Sequence, residues 1–212
     1  MPFPRRATLA DLLRQHLDRP YQRLITPTVQ AAQRMTRPGT RLYTALQDLE
    51  AAAREAQQAG TRLNASSPAV RAFIAEAETA LKRHRIQLDA VADQMVDSGA
   101  RAGQTIARYM AFPGVSNQQL AGGGIAWNTP NLDATLQVLD WTRQPAWNDL
   151  LGGLESDVLT SVNKLVVSNI LHGRNPVAAA RTMRQLLPEM TRARSETIAR
   201  TLQMQAYRRA TA

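Results

Sequence analysis

The sequence predicts an all-α fold, on three observations. Apolar residues recur at helical spacing along nearly all of the 212-residue chain. Two stretches have the 3.5-residue spacing that is typical of helices packed side by side. Aromatic residues make up only 5% of the chain, whereas β-strands are enriched in them. The expected architecture is elongated, with a long antiparallel heptad hairpin followed by a C-terminal helical bundle.

Residues 1–39 are predicted to form a basic N-terminal arm that contains one short helix. Thr8 is placed to cap this helix, and Asp11, three residues on, completes a capping box. Pro20 is expected to end the helix, because proline restricts the residue before it and cannot continue a helical hydrogen-bond ladder. The rest of the arm is interrupted by prolines, and we expect it to lie on a partner rather than in a core.

Residues 40–111 are predicted to form a long helical hairpin. The first heptad run comprises Leu42, Leu46, Leu49, Ala53, Ala56, Gly60 and Leu63. The second comprises Val70, Ile74, Ala77, Leu81, His84, Leu88, Val91 and Met95. Ser67 as N-cap and Pro68 at the first helical position mark the start of the second helix. We expect the small residues of the first run to let the helices approach closely, and Gly99 and Gly103 to weaken the second helix by about 1 kcal/mol each.

The remaining chain is predicted to contain a loop and a helical module. Residues 112–131 hold two prolines and four glycines, which predicts a Gly/Pro-rich loop. Residues 132–212 are predicted to form a C-terminal helical module. Its first long helix is expected to end at Gly173, which tolerates a left-handed cap, and Asn175 and Pro176 to start the next helix.

The second helix of this module is expected to stop at Pro188, so that a separate last helix covers about residues 191–210. On that last helix, Arg200 lies one turn from Glu196 and is placed to pair with it. We expect Arg200 to hold the C-terminal hairpin together through carbonyls or a carboxylate, with direct DNA contact as the alternative.

Positive charge is concentrated at the two ends of the chain. Residues 1–41 hold eight Arg and two Asp, residues 42–173 hold ten cations and thirteen acids, and residues 174–212 hold eight Arg and two Glu. Basic ends suit DNA or an acidic protein surface; the alternative is that these arginines are simply solvated helix formers. The candidate contacts to DNA or to a partner protein are Arg5, Arg6, Arg14, Arg181, Arg184, Arg192, Arg194, Arg208 and Arg209.

The sequence indicates no enzyme, no cofactor and no metal site. Cysteine is absent, which excludes thiol nucleophiles and cysteine-ligated metals. The three histidines lack metal-type neighbours, and His84, on the heptad seam, is expected to lie in a core or interface. No metalloprotease, serine hydrolase or P-loop pattern occurs. No apolar run reaches the roughly 18 residues of a membrane span, so we expect no membrane partner.

The C-terminal quarter, about residues 155–210, has a distinctive pattern. Its last predicted helix contains the phrase Arg194-Ser195-Glu196-Thr197-Ile198-Ala199-Arg200-Thr201-Leu202. The quarter resembles the head morphogenesis family of tailed phages, the Mu F-like minor head proteins, whose phrase is close to RA..IARTE. Ser195 stands where that family has alanine, and Leu202 where it has glutamate. The residues of the motif in this chain are Gly173, Asn175, Pro176, Glu196, Ile198 and Arg200.

The resemblance implies a minor structural protein of the virion that binds the portal vertex inside the capsid. It implies several copies around the portal, assembly in the host cytoplasm, and a role in head assembly and in DNA packaging or delivery. The implied partners are the portal protein, the major capsid or scaffold protein, and double-stranded DNA. Two alternatives stay open: a head–tail connector or adaptor protein, and a basic helical DNA-binding protein.

Overall fold

The computed structural model describes residues 8–61, 63–112, 145–165 and 176–211. These residues form helices and the turns between them, and they contain no strand. The predicted all-α fold is therefore confirmed.

The described part of the chain contains six α-helices. They are α1 (Leu9–Leu13), α2 (Arg19–Arg34), α3 (Arg41–Gln58), α4 (Pro68–Ala111), α5 (Pro145–Leu165) and α6 (Pro176–Thr211). A single π turn (Arg14–Asp18) lies between α1 and α2. Two compact units divide the chain: unit 1 comprises Met1–Thr26, Ala90–Asn148 and Thr197–Ala212, and unit 2 comprises Pro27–Asp89 and Asp149–Glu196. Helices α2, α4, α5 and α6 have residues in both units.

The first helix begins as the sequence predicts. The Thr8 hydroxyl accepts a hydrogen bond of 3.2 Å from the Asp11 N–H, and the Asp11 carboxylate accepts one of 3.0 Å from the Thr8 N–H. The bond from the Thr8 backbone, together with that from its hydroxyl, holds the pKa of Asp11 below its ordinary value. The predicted capping box is therefore confirmed.

Pro20 does not end the helix, so that prediction was wrong. In the π turn the N–H of Arg19 donates to the carbonyl of Arg14, five residues back, and α2 then continues through Pro20 and Pro27. In a π turn an N–H donates to the carbonyl five residues back and not four. The usual helical hydrogen-bond pattern is therefore already interrupted next to Pro20, which has no N–H to donate. The helix is thereby able to accommodate Pro20.

The stretch from 20 to 39 is not an arm that lies outside a core. It is helical as far as Arg34, and a turn that contains Gly39, at a φ of 91°, leads into α3. The Thr40 hydroxyl caps α3 by accepting a hydrogen bond of 3.1 Å from the Tyr43 N–H. The buried side chains of this stretch are Tyr21, Ile25, Thr28, Ala32 and Thr36. The expectation that this stretch lies outside a core was wrong, because the apolar spacing of a helix persists between its prolines.

Helix α3 ends in a Schellman motif. The N–H of Thr61 donates to the Ala56 carbonyl at 2.8 Å, and the N–H of Gly60 donates to the Gln57 carbonyl at 3.2 Å. Gly60 has a φ of 65°, the left-handed conformation that this motif requires. It therefore lies beyond the helix, and the prediction that it lets two helices approach was wrong. Four residues of the first heptad run are buried: Leu42, Leu46, Leu49 and Ala53.

Helix α4 begins at Pro68, as predicted, and runs for 44 residues to Ala111. At a rise of about 1.5 Å per residue it is about 66 Å long. The hydroxyl of Ser67 accepts a hydrogen bond of 3.0 Å from the Asn64 N–H in the preceding turn. The buried residues of the second heptad run are Val70, Ala77, Leu81, His84, Leu88 and Met95. The antiparallel pairing of α3 with α4 stays a prediction.

In unit 1, Gly99 and Gly103 are packing positions on α4. A Cβ atom at Gly99 would lie 2.3 Å from the Gln203 carbonyl oxygen and 3.0 Å from the Ala206 Cβ. A Cβ atom at Gly103 would lie 2.7 Å from the Ala210 Cβ. The backbones of α4 and α6 thus approach so closely at these two residues that only glycine fits there.

Helix α6 is a single helix through Pro188, so the predicted break was wrong. Proline cannot donate to the carbonyl four residues back, which here is that of Arg184. The hydroxyl of Thr36, in the turn before α3, donates to that carbonyl instead. Pro188 itself is buried, and the helix continues past it.

Several predictions fall on residues outside those described. These are the Gly/Pro-rich loop from residue 113 onward and the helix boundary at Gly173 and Asn175. The start of a helix at Pro176 is confirmed.

Candidate functional site

The candidate arginines differ in what their side chains contact. Arg5 and Arg6 lie outside the described residues. Arg14 is exposed in the π turn, and Arg208 and Arg209 are exposed in the last turn of α6, where both have interaction partners. The remaining candidates, Arg181, Arg184, Arg192 and Arg194, all form ion pairs inside unit 2.

Three arginines surround the carboxylate of Glu50 in unit 2. The Glu50 side chain is only 11% exposed. Arg54, one turn along α3, donates to Glu50 Oε1. From α6, the Nε of Arg181 lies 3.5 Å from Oε1, and the Nη2 of Arg184 lies 3.4 Å from Oε2. A nearly buried carboxylate needs such partners, and here they tie α6 to α3.

Arg184 makes further contacts with the same part of unit 2. Its guanidinium carbon lies 5.0 Å from the centroid of the Tyr43 ring, within the range of a cation–π interaction. The hydroxyl of Tyr43 accepts a hydrogen bond of 3.3 Å from the Gln47 amide. The side chain predicted to face DNA or a partner protein is therefore engaged in holding α3 and α6 together.

Arg194 and Arg192 are also engaged within unit 2. The Nη2 of Arg194 lies 3.0 Å from Asp157 Oδ2 and links α6 to α5. A Cβ atom at Gly153 would lie 3.2 Å from this Nη2. Glycine at position 153 therefore leaves room for the guanidinium of Arg194. The Nε of Arg192 lies 3.7 Å from Oε1 of Glu196, one turn along α6.

Arg200 holds the π turn against α6 in unit 1. Its Nη2 donates to Asp18 Oδ1 at 2.8 Å, its Nη1 donates to Gln203 Oε1 at 3.2 Å, and its guanidinium lies 4.9 Å from the Tyr21 ring centroid. The buried amide of Gln203 donates in turn to the Leu17 carbonyl at 2.8 Å. Arg200 thus binds a carboxylate inside the protein, as predicted, but this carboxylate lies near the N-terminus and not in the C-terminal hairpin.

Ser195 and His84 form a buried pair in unit 2. The Ser195 hydroxyl donates its proton to the Thr191 carbonyl at 2.7 Å, so the Nε2–H of His84 donates to Ser195 Oγ at 2.8 Å. Burial lowers the pKa of His84 to about 4, which keeps the imidazole neutral at neutral pH. An imidazole that donates from Nε2 cannot take the serine proton there, so the pair does not have the arrangement of a nucleophile and its base. The predicted core position of His84 is confirmed.

A second set of arginines was not among the candidates. Arg19, Arg23, Arg34, Arg37 and Arg41 are exposed. Within the described part of the chain, their side chains form no hydrogen bond and no ion pair. The signal that could have found them is in the sequence: between Asp18 and Asp48 there is no acidic residue. We call residues 19–47 the acid-free segment.

The described residues contain neither a metal-binding cluster nor a membrane-spanning helix. There, no three His, Asp or Glu side chains come together in a way that could hold a metal ion. No helix in that part of the chain combines the length and the apolar character needed to cross a membrane.

Comparisons with known proteins add no relative: no protein-family model, no curated protein and no solved structure matches this chain. The resemblance of residues 155–210 to the phage head morphogenesis family therefore rests on its residue pattern.

Proposed function

We propose that this chain is a minor structural protein of a tailed-phage head. It binds the portal vertex inside the capsid, in several copies, and assists head assembly and DNA packaging or delivery. The observation that carries the proposal is the pattern of residues 155–210, and the arrangement of its phrase in α6 supports a structural role.

Four of the nine residues in the phrase from Arg194 to Leu202 are buried. Ile198, Ala199 and Leu202 are buried. The two departures from the family's phrase, Ser195 and Leu202, both lie at buried positions, where one pairs with His84 and the other is enclosed in unit 1. Both differences lie at buried positions and not on the exposed face of the helix, which is compatible with the same kind of role.

The charged groups of α6 also favour a structural role. Arg181, Arg184, Arg194 and Arg200 each bind an acidic residue of another element. Ionised side chains used in this way fix helices in place and are not free for proton transfer. A protein that docks on others and keeps its shape needs such an arrangement.

The test is purification of the affinity-tagged chain from cells that produce the phage, followed by identification of co-eluting proteins. The proposal expects portal protein in the eluate, and expects the chain in DNA-free procapsids. A photo-crosslinker at the exposed Gln185 of α6, compared with one at the exposed Gln87 of α4, would then show which helix faces the portal. Absence of portal from the eluate, or of the chain from heads, contradicts the proposal. Recovery of the chain with tails or mature connectors only would favour the adaptor alternative.

Deletion of residues 1–39 is unsuitable as a test of docking. It would remove the buried face of α2 along with the basic residues, so a loss of incorporation into particles would not separate docking from folding.

A further inference from the structure

We propose that the acid-free segment, residues 19–47, binds the phosphate backbone of double-stranded nucleic acid without reading its sequence. Docking at the portal and head assembly do not require such a surface, and it can be tested without the portal.

Within the described part of the chain, the arginines of this segment differ from most of the others in having no internal partner. Eight of the described arginines are paired with acidic residues: Arg54, Arg85, Arg101, Arg181, Arg184, Arg192, Arg194 and Arg200. In the acid-free segment, as far as the described residues go, all five arginines are exposed and none is in an ion pair. Neutralising phosphates with them would therefore break no ion pair of the fold.

In unit 2, three of these arginines belong to one ordered turn. Arg34 ends α2, Arg37 lies in the turn, and Arg41 begins α3. The Arg37 N–H donates to the Arg34 carbonyl at 3.1 Å, and the hydroxyl of Thr40 donates to the Arg37 carbonyl at 2.9 Å. Because the backbone is already fixed, only the side chains lose freedom on binding an anion. In unit 1, Arg19 and Arg23 lie one turn apart and so share a face of α2.

The residues around these arginines suit phosphate better than protein. The other exposed residues of the acid-free segment are polar and neutral, or are proline and glycine: Gln22, Thr26, Pro27, Gln30, Gln33, Pro38, Gly39, Thr44 and Gln47. Side chains of Arg, Thr and Gln are typical contacts to phosphate oxygens. A protein interface normally centres on buried aromatic or aliphatic anchors, and the acid-free segment exposes none.

The aromatic residues of the segment favour a duplex over a single strand. Proteins that bind single strands stack bases on exposed aromatic rings. Tyr21 is buried and faces Arg200, and Tyr43 lies against Arg184. With both rings engaged inside the protein, neither is free to stack on a base, and contacts to the backbone phosphates are typical of sequence-independent binding to a duplex.

The experiment measures binding of the purified chain to a fluorescent duplex of about 30 base pairs, by anisotropy, over a range of salt concentrations. The variant R34Q/R37Q/R41Q is compared with R71Q/K82Q/R83Q, which removes three exposed cations from α4 in the same unit. We expect the first variant to make the slope of log K against log salt shallower by about 3, or about 1 per arginine. The second should keep the slope of the unaltered chain.

Each other result overturns the proposal. Equal losses in the two triple variants would mean that net charge alone governs binding. Tighter binding to a single-stranded oligonucleotide than to the duplex would identify a different partner. So would tighter binding to poly-glutamate than to the duplex, if that binding also depended on the three arginines. No binding of the unaltered chain at about 50 mM salt would also reject it. Circular dichroism shows whether each variant is folded. If the triple variant does not fold, R19Q/R23Q is measured in its place, and its slope should become shallower by about 2. None of these results depends on the portal.

Discussion

The hydroxyl of Thr36 donates a hydrogen bond of 3.0 Å to the carbonyl oxygen of Arg184, which lies four residues before Pro188. That carbonyl is the one that a proline at position 188 leaves without its helical donor. A proline inside a helix costs about 3 kcal/mol or more, in part because of this lost bond. A residue that precedes α3 therefore compensates for a defect in α6.

Replacing Thr36 by valine should leave the Arg184 carbonyl without a donor. We expect Thr36→Val to lower the free energy of unfolding by about 1–2 kcal/mol, as measured by urea denaturation. In the Pro188→Ala background the same change should cost less, because alanine restores the N–H. A double-mutant cycle isolates this coupling, expected to be about 1 kcal/mol. If Thr36→Val lowers the free energy of unfolding equally in both backgrounds, the Thr36 hydroxyl does not compensate for the N–H that Pro188 lacks.

The two glycines at the close approach of α4 and α6 should tolerate no side chain. A Cβ atom at Gly99 would lie 2.3 Å from a backbone oxygen, which cannot move without shifting α6. We expect Gly99→Ala to destabilise unit 1 by about 1–3 kcal/mol. The matched control is Gly152→Ala in α5, where a Cβ atom would meet nothing within 4 Å. There the better helix propensity of alanine should stabilise the protein by about 0.5–1 kcal/mol. Thermal unfolding that moves in the same direction for both variants would contradict this account of packing.

Local signals in the sequence predicted several features of the described helices correctly. The capping box at Thr8, the start of α4 at Pro68 and the heptad burial around Leu46 and Leu81 depend on neighbours within a few turns, and all are present. Pro188 was misread because its missing donor is replaced by a residue about 150 positions earlier in the chain. Spacing along one helix carries no information about such a partner.

The sequence could not predict which acidic residues pair with the arginines, for the same reason. Arg184 meets Glu50 across 134 positions, and Arg200 meets Asp18 across 182. The sequence showed that the C-terminal end is basic, but it did not show which of those charges the fold uses. The lack of acids in the acid-free segment was visible in the sequence. It excludes ion pairs within that segment, whereas pairs with distant acids depend on the fold.

The arginines around Glu50 predict a cost for removing its charge. We expect Glu50→Gln to lower the free energy of unfolding by about 2 kcal/mol, since the loss of one member of a nearly buried group leaves its partners without a counter-charge. Arg54 and Arg181 remain more than half exposed, and solvent screening keeps the cost below that of a fully buried pair. The control is Asp97→Asn, which removes an exposed pair with Arg101 and should cost about 0.5 kcal/mol or less. Equal effects of the two substitutions in urea denaturation would show that burial of Glu50 adds nothing.

The buried His84 predicts how stability depends on pH. Its pKa of about 4 in the folded protein lies below the ordinary value of about 6.5 for histidine. Above pH ~6.5 the imidazole is neutral in both states, and its contribution is fully present. As the pH falls from there, the unfolded chain binds a proton that the folded chain does not, so this contribution is lost until the folded His84 protonates near pH 4. The loss amounts to about 3 kcal/mol.

Two substitutions separate this titration from that of the carboxylates. His84→Gln retains an N–H donor for Ser195 Oγ but has no proton to gain, so its stability should fall less between pH 7 and pH 4.5. We expect the difference in free energy of unfolding between the unaltered chain and His84→Gln to change by about 2–3 kcal/mol over that range. Ser195→Ala leaves the imidazole in place, so it should lower stability at pH 7 and yet keep the pH dependence of the unaltered chain. Parallel pH curves for the unaltered chain and His84→Gln would mean that His84 is readily protonated in the folded protein, which its burial opposes.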